Sequence, residues 1–463
     1  MPIGRPVRTG RPDAFTIDSQ GGEQLMKTYD LIGIGIGPFN LSLAALAEPT
    51  GLDTLFLDKR DAFAWHPGML VSNGQLQVSP LKDCVTLAAP TSRYSFLNYL
   101  AEHRRLYSFI NKGGACTSRK EFADYYGWVA RQLANLRFAQ EVLDVVECND
   151  GYTVVTAEQS YHARAVAIGV GISPRVPECA RPWLGDAIYH VADFLHREAL
   201  RPGEHVLVVG GGQSGAETVE QLLGTPALGG FTWVTSRSNL FAMDDNAFVN
   251  EAFCPAYNQR FQNLPMAQRS HAVQQERLTS DGISADLCNR LYEQLYERRV
   301  GQEPRPPIDI LQAAVLDGLE PDGRRWRARL RSLSSGSQRT LVVDRVILAT
   351  GFQPCPQPYV DALLAKARRD GGLPLIDANY CVQFATPMPG PVYLQNRSLV
   401  QHGLQSVNLS MVAYRNSRIL NDLLGYEYFR AEPDTPMFSH LDALPEAPAR
   451  HLEPRHALSL VQY

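Results

Sequence analysis

The chain has 463 residues, 44% of them hydrophobic and 20% charged, a mixture that builds a core without a disulfide or metal staple. Its 44 basic and 48 acidic residues leave a formal net charge of -4, which argues against a general nucleic-acid binder. No apolar run reaches the roughly 20 residues that span a bilayer. The eight cysteines show neither C-x-x-C pairs nor zinc spacing, so they read as reduced thiols in a cytoplasmic protein with no metal site.

Residues 1–25 carry Gly4, Gly10, Gly21 and Gly22 and no apolar stretch. They read as a flexible leader rather than a secretory signal, with Met26 as an alternative start. Residues 29–34 then form a buried strand, 35–40 a glycine-rich turn, 41–47 a helix stopped by Pro49, and 54–58 a second strand. A second unit of the same kind has a strand at 206–209, a turn at 210–215, a helix at 216–223 and a strand at 231–234. Residues 245–300 are mostly helical in pattern, ending in a helix at 284–299 with Leu287, Leu291 and Leu295 on one face and Ser284 as its N-cap. A strand at 342–349 runs into Thr350-Gly351. Beyond Arg430 the chain is proline-rich and reads as extended or disordered.

The turn Gly35-Ile36-Gly37-Pro38-Phe39-Asn40 sits between strand and helix. Its glycines let the backbone approach a pyrophosphate at the helix N-terminus. Asn40 stands where the strict fingerprint has a third glycine. Asp58, followed by Lys59, ends the next strand, where an acid binds ribose hydroxyls. The second turn, Gly210-Gly211-Gly212-Gln213-Ser214-Gly215, meets the fingerprint in full. Its next strand ends in Thr235-Ser236-Arg237-Ser238, and a cation without an acid there suits the 2′-phosphate of NADP. Two such turns imply two cofactors, most simply a flavin in the first and NADPH in the second, with oxygen as electron acceptor.

Further segments occur in order: Trp65-His66-Pro67-Gly68-Met69-Leu70, Leu76-Gln77, Leu81-Lys82-Asp83, residues 90–100, Phe248-Val249-Asn250-Glu251 and Ala349-Thr350-Gly351-Phe352. With the two turns they resemble the flavin-dependent N-hydroxylating monooxygenases of siderophore biosynthesis, across residues 26 to 425. That resemblance implies an α/β protein with two Rossmann-like dinucleotide-binding domains, for FAD and NADPH, and a smaller, mostly helical substrate-binding region. It divides the chain into an FAD domain (26–198 with 340–430), an NADPH domain (199–245 with part of 300–340), a helical region (246–300) and a tail (431–463). It implies that Gly35, Gly37, Pro38, Phe39, Asn40, Asp58, Lys59, Trp65, His66, Gln77, Leu409 and Ser410 face FAD. Gly212, Gln213, Ser214, Arg237, Asn250 and Thr350 would serve the nucleotide cofactors. Gln77, Lys82, Asn250, Asn408 and Ser410 would meet the substrate, with Lys82, Asn250 and Gln77 closest to the chemistry. His402-Gly403 would begin the segment that closes over the flavin; His402 itself reads as a turn residue. Trp128 reads as core.

The implied reaction uses NADPH and O2 to hydroxylate a terminal primary amine through a C4a-hydroperoxyflavin. The amine must react uncharged, although a free alkylamine has a pKa of about 10.4. The stretch Thr279-Ser280-Asp281-Gly282-Ile283-Ser284 departs from the ornithine pattern, and Asp281 would suit a distal ammonium. The expected substrate is therefore putrescine or cadaverine, with lysine as the alternative. An NADPH-dependent flavin reductase without amine hydroxylation is a third reading. The expected partners are the amine and O2, with no nucleic acid or membrane, and the expected assembly is a homodimer or homotetramer.

Overall fold

Five short strands, four of them mainly apolar and buried, set the first layer. In the computed structural model, which describes residues 15–17, 23–25, 27–114, 116–225, 227–300, 306–430 and 437, they form one parallel sheet. Its order is Val392–Leu394, Val166–Ile168, Leu31–Ile34, Thr54–Leu57 and Leu136–Arg137. A second parallel sheet has the order Ile188–His190, Arg345–Leu348, His205–Val209, Gly230–Val234 and Ile308–Leu311. In both, the glycine-rich turn follows the central strand, where the chain order reverses. That is the crevice in which open α/β sheets bind ligands. The two expected Rossmann-like units are therefore present.

Both turn helices begin earlier than composition suggests. Pro38–Ala47 starts on Pro38, whose missing N–H costs nothing in the first turn. Gln213–Leu223 starts directly after Gly212. The expected strand over 342–349 is two strands that part at Asp344. Gln338–Val343 joins a three-stranded antiparallel sheet with Ala314–Asp322 and Arg325–Ser332, and Arg345–Leu348 enters the second parallel sheet. Asp344 fixes the change of sheet: its Oδ2 accepts the His205 N–H at 2.7 Å. Consequently Ile188–His190 and Arg345–Leu348, expected within the FAD domain, pair in the second sheet instead. A four-stranded sheet, Thr28–Tyr29, Ser160–Ala163, Gly151–Thr156 and Val142–Cys148, flanks the first.

The helical region holds Ala247–Asn250, Pro255–Asn263, Met266–Gln275 and Ala285–Glu297. Ser284 caps the last of these by position, without a side-chain hydrogen bond. Trp128 is buried among Tyr99, Tyr125 and His103. Of the leader only the antiparallel pair Phe15–Ile17 with Glu23–Leu25 is described, so the expected flexibility there, and the disorder expected of the tail, lie outside the described residues. Among the described residues no helix is long and apolar enough to cross a membrane.

Asn40 explains its own departure from the fingerprint. It is fully buried, and its Nδ2 donates to Gly35 O at 2.8 Å, Ile34 O at 3.2 Å and Ala167 O at 3.3 Å. The amide thus ties the turn to two neighbouring strands. Asn40→Ala should lower the unfolding free energy by roughly 1–3 kcal/mol, the scale of leaving buried carbonyls without a donor. Urea denaturation of the FAD-free protein measures it, and an unchanged midpoint would show the bonds to be idle.

Candidate active site

At the first turn, Gly35 has φ +86 and a Cβ there would sit 2.4 Å from Gly169 O, so only glycine fits. A Cβ on Gly37, by contrast, would meet nothing within 4 Å. Open space at a helix N-terminus is the cradle a pyrophosphate needs. Asp58 is 6% exposed; its Oδ2 accepts the Ile36 N–H at 2.6 Å and its Oδ1 the Arg60 N–H at 2.9 Å. Burial works to raise its pKa, but hydrogen bonds and charge from Arg60 overcome this and hold the carboxyl below its ordinary value. Lys59 turns outward to Glu141 at 3.7 Å.

A cavity of about 260 Å³ opens beyond this turn, lined by Trp65, His66, Met69, Gln77, Arg119, Phe352, Asn408 and Leu409 among others. Trp65 is fixed edge-on against Tyr126 and Phe122. His66 has φ 46 and tilts against Phe352 with ring centres 5.5 Å apart. Burial, then the charges of Arg119 and Arg60, lower the His66 pKa to about 4, so the ring is neutral at working pH.

Lys82 and Asp83 are not a surface pair. Asp83 is 1% exposed and accepts the N–H groups of Phe96 at 2.6 Å, Thr86 at 2.7 Å and Val85 at 2.9 Å. That knot locks the loop and leaves Lys82 half-buried, its Nζ 5.2 Å from the centre of the Phe253 ring. Phe253 in turn packs with Met411 and Tyr414. Lys82, the helical region and the segment after Asn408 therefore meet in one place. Burial lowers the Lys82 pKa, and Cys254 opposes it. Among the described residues no carboxylate lies within ion-pair distance of Lys82. Ser410 is buried, with its N–H on Asn408 Oδ1 at 2.8 Å and its own Oγ without a partner. Asn250 is exposed and bonds Asp245 O at 2.9 Å, so this conformation keeps it out of the cavity. His402 is no turn residue: it is fully buried, stacked on Tyr380 at 4.2 Å, and its Nε2 donates to Asp377 O at 2.9 Å.

The second cavity, about 720 Å³, is lined by Gly212, Gln213, Ser214, Arg237, Thr350, Arg277 and Asp281 among others. A Cβ on Gly212 would meet nothing within 4 Å, repeating the cradle at Gly37. Arg237 Nη2 bonds Asp281 Oδ1 at 2.6 Å, and Arg277 Nε bonds the other carboxylate oxygen at 2.7 Å. Asp281, expected beside a substrate ammonium, is thus held between two arginines in the nucleotide cavity. Sequence reasoning missed Arg277 because nothing local connects it to Arg237. It also missed Phe352 and Gln77 as a seam: both residues line both cavities.

Residues 27–354 match the family described as L-lysine 6-monooxygenase/L-ornithine 5-monooxygenase. The chain belongs to this family. It is 34% identical over 414 residues to the L-lysine N6-monooxygenase of Escherichia coli, covering 88% of this chain and 96% of that protein. It is 32% identical over 417 residues to a putrescine N-hydroxylase of Shewanella oneidensis, covering 87% of this chain and 82% of that one. The solved structure of the FAD-bound cadaverine monooxygenase of desferrioxamine biosynthesis from Erwinia amylovora superposes with a TM-score of 0.82 at 28% identity, over 91% of this chain and 99% of that one. The protein is a flavin-dependent N-hydroxylating monooxygenase of siderophore biosynthesis, with FAD and NADP(H) as cofactors. The two open glycine cradles fit these groups.

Two expectations follow from the cradles. Gly37→Val should give folded but colourless protein, because the side chain fills the pyrophosphate approach; full 450 nm absorbance after purification would place the flavin elsewhere. Arg237→Ala should raise the KM for NADPH by an amount equivalent to roughly 1.5–3 kcal/mol, the scale of a charged hydrogen bond, and leave NADH nearly unchanged. Equal effects on both nucleotides in steady-state assays would remove Arg237 from the 2′-phosphate.

Proposed function

We propose that the enzyme hydroxylates one terminal amine of an aliphatic diamine, cadaverine or putrescine. The turn at Gly35 to Asn40 together with the first cavity would hold FAD, and Gly212, Gln213, Ser214 and Arg237 would hold the NADP nucleotide. The observation that carries the diamine reading is chemical. Asn408 lines the first cavity, and the neighbouring Ser410 Oγ is buried without a partner. A neutral amide and a hydroxyl can accept from an ammonium but do not offset the charge of a carboxylate. Likeness to the cadaverine monooxygenase supports the same choice. Lysine is the second reading, favoured by the unpaired Lys82, which would neutralise an α-carboxylate.

Bound flavin supplies the oxygen-activating chemistry, with NADPH as its reductant. The chain's own task is binding, orientation and exclusion of water. The helix starting at Pro38 would hold the flavin pyrophosphate by its free N–H groups. Gln77 and Phe352, which line both cavities, would border both cofactors. Trp65, Met69 and Leu409 present apolar surface to the cavity and limit water there. Lys82, Asn408 and Ser410 flank the amine. Asn250 joins them only if the helix Ala247–Asn250 moves. The reading keeps the enzyme in the cytoplasm as a dimer or tetramer, which sedimentation velocity of the holoenzyme checks.

Hydroxylamine product should form with putrescine or cadaverine at least about tenfold faster than with lysine or ornithine, a difference of about 1.4 kcal/mol in barrier. NADPH consumption is not a substitute readout, since a poorly fitting amine can still drive oxidation. With the good diamine, product formation should rise with pH as the reacting nitrogen loses its proton. Lys82→Met separates the readings: it should raise KM strongly for lysine if that is the substrate, and should not weaken diamine binding if a diamine is. Lysine hydroxylation at a comparable rate would reverse the ranking.

A further inference from the structure

Between the two cavities lies a buried ion pair that the chemistry above does not use. Arg119 begins the helix Arg119–Gln132, whose aromatic face packs against Trp65. Its guanidinium lines the flavin cavity, and Nη2 donates both to Met69 O at 2.9 Å and to Glu217. The two side chains are only 17% and 6% exposed. Glu217 stands one turn into the helix that begins at the nucleotide cradle. Its other oxygen accepts Gln213 Nε2 at 2.8 Å, and Gln213 Oε1 accepts the Ser284 N–H at 2.8 Å. Gln213 lines the nucleotide cavity. Ser284 lies three residues beyond Asp281, the partner of Arg237.

Two other connections between the parallel-sheet units are uncharged: the strands Ile172–Pro174 and Phe352–Pro354, which pair antiparallel, and the packing at Gly68. The loop around Gly68 packs backbone to backbone on the 191–196 segment, where a Cβ on Gly68 would lie 2.0 Å from Ala192 O. That contact fixes separation but has no directional charge. The ion pair fixes direction: a guanidinium held by Met69 O on one side meets a carboxylate held by Gln213 on the other. Every member of the chain Arg119–Glu217–Gln213 either lines a cavity or bonds a residue that does.

We propose that Arg119 and Glu217 are positioning residues that set the nucleotide helix against the flavin wall, so that the nicotinamide reaches the flavin at hydride-transfer distance. The proposal rests on the cavity assignment above. Hydride transfer is steep in distance, and a displacement of about 1 Å far from the reacting atoms can cost about 10²-fold. Binding of the nucleotide, anchored by Arg237 and the Gly212 cradle, depends on the pair far less. The pair should therefore appear in the rate of flavin reduction and not in nucleotide affinity.

The test is anaerobic stopped-flow reduction of the flavin by NADPH, without amine, in the wild-type holoenzyme and in Arg119→Lys, Glu217→Gln and the double variant. Flavin content is read at 450 nm, and NADP⁺ affinity by titration. Wild-type enzyme that purifies without FAD, or whose flavin NADPH does not reduce, would sink the cavity assignment itself. Given that control, each single variant should keep its flavin and bind NADP⁺ within about threefold of wild type, yet reduce at least tenfold more slowly. The double variant should be no slower than the slower single one, because the two side chains act as one unit. Reduction within threefold of wild type in both single variants, additive losses in the double, or a loss confined to NADP⁺ affinity would overturn the proposal. Should Glu217→Gln fail to fold, Glu217→Asp, which keeps the charge and shortens its reach, takes its place with the same criteria.

Discussion

Hydride transfer imposes one geometric demand that organises the whole chain. Two planar rings must touch, yet the two glycine cradles that would hold their pyrophosphates lie at the N-termini of different helices. Each helix springs from the central strand of its own parallel sheet, so the carboxyl edges of the two sheets must face a common seam. Gln77 and Phe352 occupy that seam, since both border both cavities. Gly68 against Ala192 sets how close the two units come. The helices in residues 247–297 then occupy the space beside the seam, and through Phe253 they bring Lys82 and the segment after Asn408 together.

The segment from Gln395 to Ile419 is unusual for a buried stretch because much of it is polar. Arg415 is fully buried, lies 4.7 Å from the Phe39 ring and 4.8 Å from the Tyr380 ring, and donates to Ser406 O. Beside it Asn416 Nδ2 donates to Phe39 O at 2.9 Å, and Gln395 Nε2 donates to Asn416 Oδ1 at 2.7 Å. These bonds attach the segment to the first turn of the helix Pro38–Ala47. The network is satisfied only in part, since Arg415 Nε and Ser406 Oγ have no partner, but its bond to Phe39 O links elements far apart in sequence. The order of the segment that borders the flavin cavity is therefore tied to the flavin turn itself.

The two β-turn-α-β units were legible because their signals are local: a buried apolar strand, glycines at fixed spacing, and an apolar helix. The antiparallel sheet from Ala314 to Val343 carries a local signal too, since Arg325, Arg327, Arg329 and Arg331 alternate with Trp326, Ala328 and Leu330, but the strands it pairs with are not given locally. Arg331 and Arg327 find Asp317, Glu320 and Asp322 across the hairpin, a pairing that only register reveals. Asp281 shows the same limit at the site. Its position before Gly282 told nothing of Arg237, which lies far back in sequence. Asn40 was visible as an exception, but two of its three carbonyl partners, Ile34 and Ala167, lie on separate strands and could be named only once those strands were adjacent.

The cavity also states what it does to a positive charge. His66 lines the first cavity and Lys82 lies against Phe253, and both have lowered pKa values with burial as the largest cause. Their neighbours differ: His66 feels two arginines, whereas Lys82 feels the opposing influence of Cys254. What they share is loss of water. A substrate ammonium entering the same region loses water in the same way, so its pKa falls for the same reason. Only the neutral amine has the lone pair that forms the N–O bond. Desolvation thus does for the nucleophile what no basic side chain needs to do, and the absence of a charged His66 at working pH removes a cation that would otherwise compete for that space.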